Sequence, residues 1–137
     1  MDFDHLVWRP MPIGEGWEDQ VPEPIVWTAV DRFEHAWRDA PGYIGPNGAG
    51  SLHAGRYERV GMWLIGRIGF GAIWMPHVGL HGGEIEFSDG RHRLAWLRDH
   101  GLIALPMTVS REAQNEFRGR FETAIRVGRV AASDSES

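Results

Sequence analysis

Between residues 84 and 89 the chain alternates: Glu84, Glu86 and Ser88 are polar, Ile85 and Phe87 apolar. A period of two marks a half-buried strand. Upstream, residues 68–80 alternate apolar and glycine positions loosely and predict one or two strands, with Pro76 at a strand start or edge. His81-Gly82-Gly83 is a turn, so 78–80 and 84–88 make a predicted hairpin. Asp89-Gly90 breaks the alternation. Leu94, Ala95, Trp96 and Leu97 then begin a helix, with Arg98, His100 and Gly101 as its last turn and C-cap. Residues 103–109 return to strand, and residues 25–30 form another. Asp31 with Glu34 matches a capping box. Phe33, Ala36, Trp37 and Ala40 follow at helical spacing, giving an amphipathic helix to about Asp39. Residues 56–64 predict a short helix with Trp63 and Leu64 facing the core. Ser110 is the expected cap of a last helix carrying Ala113, Phe117, Phe121, Ala124 and Ile125 on one face.

This order of elements predicts an α/β (α+β) fold, a small mixed sheet with packed helices. Connections of this length join neighbours, so the strand before Asp89 and the strand at 103–109 are expected side by side. Residues 1–24, rich in Pro, Gly and acids, read as an irregular arm with Trp8 and Trp17 as packing anchors. Residues 25–130 read as a single domain and 131–137 as a disordered acidic tail. The glycine-rich loop at 42–50 has two readings, a mobile surface loop or part of a site.

Composition narrows the class. The chain has 137 residues, enough for one core, and 42% of them are hydrophobic, which argues against general disorder. There is no cysteine, so disulfides and Cys-based zinc sites are excluded. No apolar run approaches a membrane span, so no membrane insertion is expected. The N-terminus lacks a basic n-region, and a cytoplasmic protein is the expectation. The net charge of −5 counts against a general nucleic-acid coat, yet arginines concentrate in the second half. There is no lysine, which removes a P-loop. Seven tryptophans are many for this length; most should be core or edge anchors, and one could stack on a base.

The candidate chemistry sits at the strand-to-helix turn. Gly90 allows backbone angles that other residues avoid. Arg91, His92 and Arg93 crowd a helix start, where cations are unfavourable unless an anion is present. Unpaired N–H groups there suit phosphate. The plain alternative is a solvated helix start. Asp89 reads first as an N-cap, and otherwise as a group holding a metal or an arginine. Glu84 and Glu86 share a strand face, either to hold Mg²⁺ beside a nucleotide or simply to face water. His77 and His81 flank a strand end, a poor arrangement for a metal. Arg111, Arg118 and Arg129 read as a solvated stripe on the last helix.

The segment Asp89-Gly90-Arg91-His92-Arg93-Leu94-Ala95, the Arg98-Asp99-His100-Gly101 helix end and the following Leu105-Pro106-Met107-Thr108-Val109 together resemble the ParB/sulfiredoxin superfamily. There a Gly-x-x-Arg box after a strand grips nucleotide phosphates. Met75-Pro76-His77-Val78-Gly79-Leu80 is similar to that family's preceding Pro-containing strand. Within it the plasmid fertility inhibition factors are the nearest likeness. They have a Tyr-Ile-Gly loop, here Tyr43-Ile44-Gly45, followed by an Arg-Tyr pair, here Arg56-Tyr57, a candidate second site.

The resemblance implies a ParB/sulfiredoxin-like domain with ATP or CTP and Mg²⁺ as ligands. It implies ATPase or DNase activity, and a role in blocking conjugative DNA transfer. Gly90, Arg91, His92 and Arg93 would bind phosphate; His92, Asp89 and Glu86 would be the catalytic candidates. Sulfiredoxin places its catalytic Cys just after the Gly; here that position is Arg91, so sulfinic acid reduction is excluded. The chain is too short for the extra domains of partition proteins. Two further readings stay open. One is a nucleotide-dependent module that grips a conjugation-system protein without turnover, and DNA is a further candidate partner. The other is a plain interaction protein with a Trp-rich surface.

Overall fold

The structure, a computed structural model, describes residues 2–10, 23–68 and 71–131. In chain order the elements are β1 (Val7–Arg9), β2 (Ile25–Ala29), α1 (Val30–Trp37), α2 (Arg56–Arg67), β3 (Ala72–Trp74), β4 (His77–His81), β5 (Glu84–Asp89), α3 (Arg91–Asp99), β6 (Ala104–Val109), α4 (Gln114–Phe121) and β7 (Arg129–Val130). Short 3₁₀ turns sit at Pro46–Gly48 and Arg111–Ala113. This is a mixed α+β fold, as the element pattern predicts.

The main sheet has the order β2-β6-β4-β5. β2 is antiparallel to β6, β4 is parallel to β6, and β5 is antiparallel to β4, so the sheet is mixed. β5 and β6 share this sheet but do not touch. The hairpin through Gly82-Gly83 ties β5 to one edge of β4, and the other edge of β4 pairs with β6 through His77↔Thr108 and Val78↔Val109. A second sheet, β3-β1-β7, is wholly parallel. Its central strand, Val7–Arg9, falls where an irregular arm is expected. Three residues are too few for alternation to register in the sequence. Trp8 is fully buried there and its Nε1 donates to the carbonyl of Val127 at 2.9 Å. The rest of the arm, 11–22 with Trp17, and the expected tail at 132–137 lie outside the described residues.

One hydrophobic core serves both sheets. Phe33 on α1 meets Phe121 at 5.5 Å, Phe117 at 6.1 Å and Phe87 of β5 at 5.7 Å between ring centres. The helical spacing of Phe33 and Trp37, and of Phe117 and Phe121, is thus the spacing of faces that pack on each other. α3 is buried along Leu94, Ala95, Trp96 and Leu97. It lies close against α2 because residue 61 is glycine: a Cβ there would sit 2.2 Å from Trp96 Nε1.

Four local expectations are corrected. The N-cap of α1 is Ala29, without a side-chain cap; Asp31 bonds the Arg32 amide instead, and Glu34 is taken by Tyr43 and Arg98. Trp63 is 44% exposed, since the inward stripe of α2 is Tyr57, Gly61 and Leu64, and Trp63 lies about 100° round the helix from Leu64. Ser110 does not cap a helix by its side chain; it precedes the 3₁₀ turn and its Oγ reaches the Val78 carbonyl. α4 stops at Phe121, because Glu122 bridges to Thr28 and the Thr123 amide donates to the Trp27 carbonyl. Ile125 is therefore half exposed, and Arg129 lies in β7, not on a helical stripe with Arg111 and Arg118.

Candidate functional site

β5 enters a turn at Gly90, whose φ of 92° and ψ of 11° make it the left-handed N-cap of α3. A Cβ at Gly90 would stand 2.9 Å from Pro76 Cα. Two facts therefore demand glycine here, the backbone angle and the approach of the Met75-Pro76 segment. The turn opens on a cavity of about 220 Å³. Arg91, His92 and Arg93 line it from α3, Arg56 from the start of α2, His53 from the loop before α2, and Asp89 from β5. The helix begins at Arg91, three residues before the first apolar position, which places all three basic residues in its first turn.

These side chains are not equivalent. Arg93 donates to Asp89 Oδ2 at 2.6 Å, and its Nε is buried without a partner. Asp89 is thereby the arginine holder of the two sequence readings; the N-cap is Gly90. Among the described residues neither Arg56 nor Arg91 is ion-paired to a carboxylate. His92 is buried, and its Nε2 lies 2.9 Å from Ser51 Oγ. Burial, then the charges of Arg91, Arg56 and His53, lower its pKa to about 4. The imidazole is therefore neutral at pH 7, with one donor and one acceptor nitrogen. The result is a small cavity with two uncompensated guanidinium groups and a neutral hydrogen-bonding ring.

The glycine-rich loop is part of this construction. Its Ile44 is buried and its carbonyl accepts from Arg98 at 2.7 Å, while the Asn47 amide donates to Asp99 Oδ2 at 2.9 Å. Arg98 also reaches Glu34 Oε1 at 2.8 Å and Asp99 Oδ1 at 3.0 Å. Burial opposes both charges. The bonds from Tyr57, Arg98 and the Asn47 amide nevertheless hold the Asp99 carboxyl below its usual range, and the carboxylates raise Arg98. The C-terminal end of α3 thus fastens the loop that delivers Ser51 and His53 to the N-terminal end.

The Arg56-Tyr57 pair splits. Arg56 lines the cavity; Tyr57 is buried on the other side of α2, where its hydroxyl donates to Asp99 at 2.6 Å, and burial with that bond raises its pKa. Glu84 and Glu86 are exposed on β5 and neither lines the cavity. Among the described residues no three His, Asp or Glu side chains converge as metal ligands, and Asp89 is the carboxylate that lines the cavity. Ser51 and His53 escaped the sequence reading. Nothing local marks them, because tertiary packing alone carries the loop to α3.

No sequence profile of a known family matches the chain, and no curated protein sequence matches it at a significant level. A solved structure does: the oncogenic suppression activity protein, described as a plasmid fertility inhibition factor and solved as a gold(I) cyanide derivative. The match has a TM-score of 0.51 at 18% identity and covers 75% of this chain. The chain spans 60% of the length of that protein. At this identity the likeness is one of fold. No helix among the described residues is long and apolar enough to cross a membrane.

Proposed function

We propose that this chain binds the phosphates of a nucleotide or nucleic acid at the first turn of α3, and that it serves as a fertility-inhibition-like protein restraining conjugative DNA transfer. One observation carries the first part. Arg56 from α2 and Arg91 from α3 converge on a single cavity without carboxylate partners among the described residues, and the buried His92 beside them is held neutral. Two cations are poorly placed at a helix start unless an anion joins them. ATP and CTP are the candidate nucleotides. The second part rests on the fold likeness to a plasmid fertility inhibition factor. The wider ParB/sulfiredoxin placement rests on the Gly90-Arg91-His92-Arg93 box.

Binding without turnover is the better-supported form. Asp89 is engaged by Arg93, and Glu86 stands outside the cavity. His92, with its pKa near 4, is a weak base at neutral pH. The reading is tested by calorimetric titration of ATP, CTP and inorganic phosphate into the parent and Arg91→Ala, with phosphate release in Mg²⁺ followed on the same samples. Saturable binding lost in the variant supports it. Release well above background returns the ATPase reading. Failure of every phosphate ligand to bind leaves a plain interaction protein. For the conjugation role, expression in donor cells should lower plasmid transfer, and Arg91→Ala should restore it.

A further inference from the structure

Beside the cavity lies a second and larger opening, a groove of about 740 Å³ between α2 and the β1–β3 edge of the parallel sheet. Arg56, Arg59 and Arg67 line it from α2, Arg9 from β1, and Arg93 from the first turn of α3; among the described residues no acidic side chain lines it. Its two aromatic residues are Trp63 on α2 and Trp74 on β3, which are 44% and 43% exposed. On a protein with a net charge of −5, five arginines and two exposed tryptophans around one groove are a strong local exception.

The side chains are held in place. Arg67 Nε donates to the Ala72 carbonyl at 2.8 Å, tying α2 to β3, and its guanidinium stands 5.0 Å from the Trp63 ring centre. Among the described residues Arg56, Arg59 and Arg67 have no carboxylate partner. From Arg56 to Arg67 the helix advances about 16 Å, which suits a run of phosphates better than one nucleotide. The groove and the cavity share Arg56, Val60 and Arg93, so they are continuous.

We infer that the groove is a docking site for a single strand of nucleic acid, with bases stacked on Trp63 and Trp74 and phosphates on the arginines of α2. Alternating cation and flat aromatic surface is what a strand with unpaired bases offers a complement to: each base has a stacking face and each link carries one negative charge. A duplex hides those faces. Where the strand leaves the groove, its next phosphate enters the cavity at α3; that last step alone rests on the proposed function above.

The probe is a fluorescent dT12 oligonucleotide, titrated by anisotropy at several salt concentrations. The parent should bind it more tightly than a 12-base-pair duplex, with a log–log salt slope of about −2 to −3 for three or four phosphates. Trp74→Ala and Trp63→Ala should each weaken it roughly five- to hundredfold, and Trp63→Phe should recover most of the loss. Arg59→Ala should flatten the slope by about 0.7. An abasic strand of equal length should bind as weakly as the tryptophan variants. ATP and phosphate affinity should be unchanged in Trp74→Ala, and circular dichroism should show both alanine variants folded, since these rings are half exposed.

The groove reading is overturned if the parent binds ATP but not dT12, or if the tryptophan variants or the abasic strand bind as tightly as the parent pair. If dT12 binds and depends on Trp63 and Trp74 while no mononucleotide or phosphate binds at all, the groove stands and the cavity reading falls.

Discussion

The hydroxyl of Ser51 lies 2.9 Å from Nε2 of His92, joining a loop and a helix start that are 41 positions apart in the chain. The contact holds the His92 ring, which lines the cavity. It also buries an imidazole beside Arg56 and Arg91, which is why His92 resists protonation.

That resistance gives a pH signature. The folded pKa of about 4 lies below the ordinary value of 6.5, so the unfolded chain binds the proton more readily. The contribution to stability is complete above pH 6.5 and is lost as pH falls from there toward 4. It amounts to at most about 3 kcal/mol. Urea unfolding at a series of pH values should show this fall in the parent, and His92→Gln should lack that portion of it.

An anion in the cavity reverses the effect. Phosphate or nucleotide would offset the charges of Arg91 and Arg56, so the pKa of His92 should rise on binding. Ring-carbon NMR titration with and without inorganic phosphate measures it. An unmoved His92 at saturating phosphate would place the anion elsewhere.

Arg91 and Arg93 should behave differently when removed. Arg91 has no carboxylate partner among the described residues, so Arg91→Ala should weaken nucleotide binding by about one to two decades with little change in melting temperature. Arg93→Ala should weaken binding and also destabilise the fold, because Asp89 loses its partner. Asp89 is 37% exposed, so that cost is small, up to about 1 kcal/mol. Calorimetry and thermal melts on the two variants separate the roles.

The glycines at 61 and 90 should tolerate no side chain. Gly61→Val drives a branched side chain into the Trp96 indole and should cost about 1–3 kcal/mol or more. Gly90→Val meets both a positive φ and Pro76 and should cost a similar amount. Denaturant midpoints report both. Only Gly90→Val should remove phosphate binding at temperatures where each variant is still folded.

Glu34→Ala should destabilise the fold. It takes one of two carboxylates from Arg98, which is 11% exposed and keeps Asp99, and costs about 1–3 kcal/mol. Glu34→Gln keeps the hydrogen bonds and should lose less. Because Arg98 and Asp99 fasten the 42–50 loop, the alanine variant should also loosen the segment carrying Ser51 and His53, which protection of loop amides against hydrogen exchange would detect.

The chain's own periodicity determined the hairpin, the order of the principal strands and helices, and the faces that carry Phe33, Trp37, Phe117 and Phe121. Those features are local, and one buried face writes itself into spacing. The cationic turn was also legible, since Gly90, Arg91, His92 and Arg93 are contiguous. Tertiary structure decided what local pattern cannot carry. It set β4 between β5 and β6, because a sheet edge can be filled by either neighbour. It made a three-residue strand of Val7–Arg9, too short to show a period. It gave Asp89 to Arg93, turned Glu86 outward, and parted Arg56 from Tyr57, because adjacent residues on a helix face different ways. It brought Ser51 and His53 to His92 through a loop fastened at the far end of α3. The arginines at 56, 59 and 67 with Trp63 do follow helical spacing and could have been read as one stripe. That the stripe faces Trp74 and Arg9 across a groove depends on packing between α2 and a parallel sheet, and spacing along one helix contains nothing about its partner.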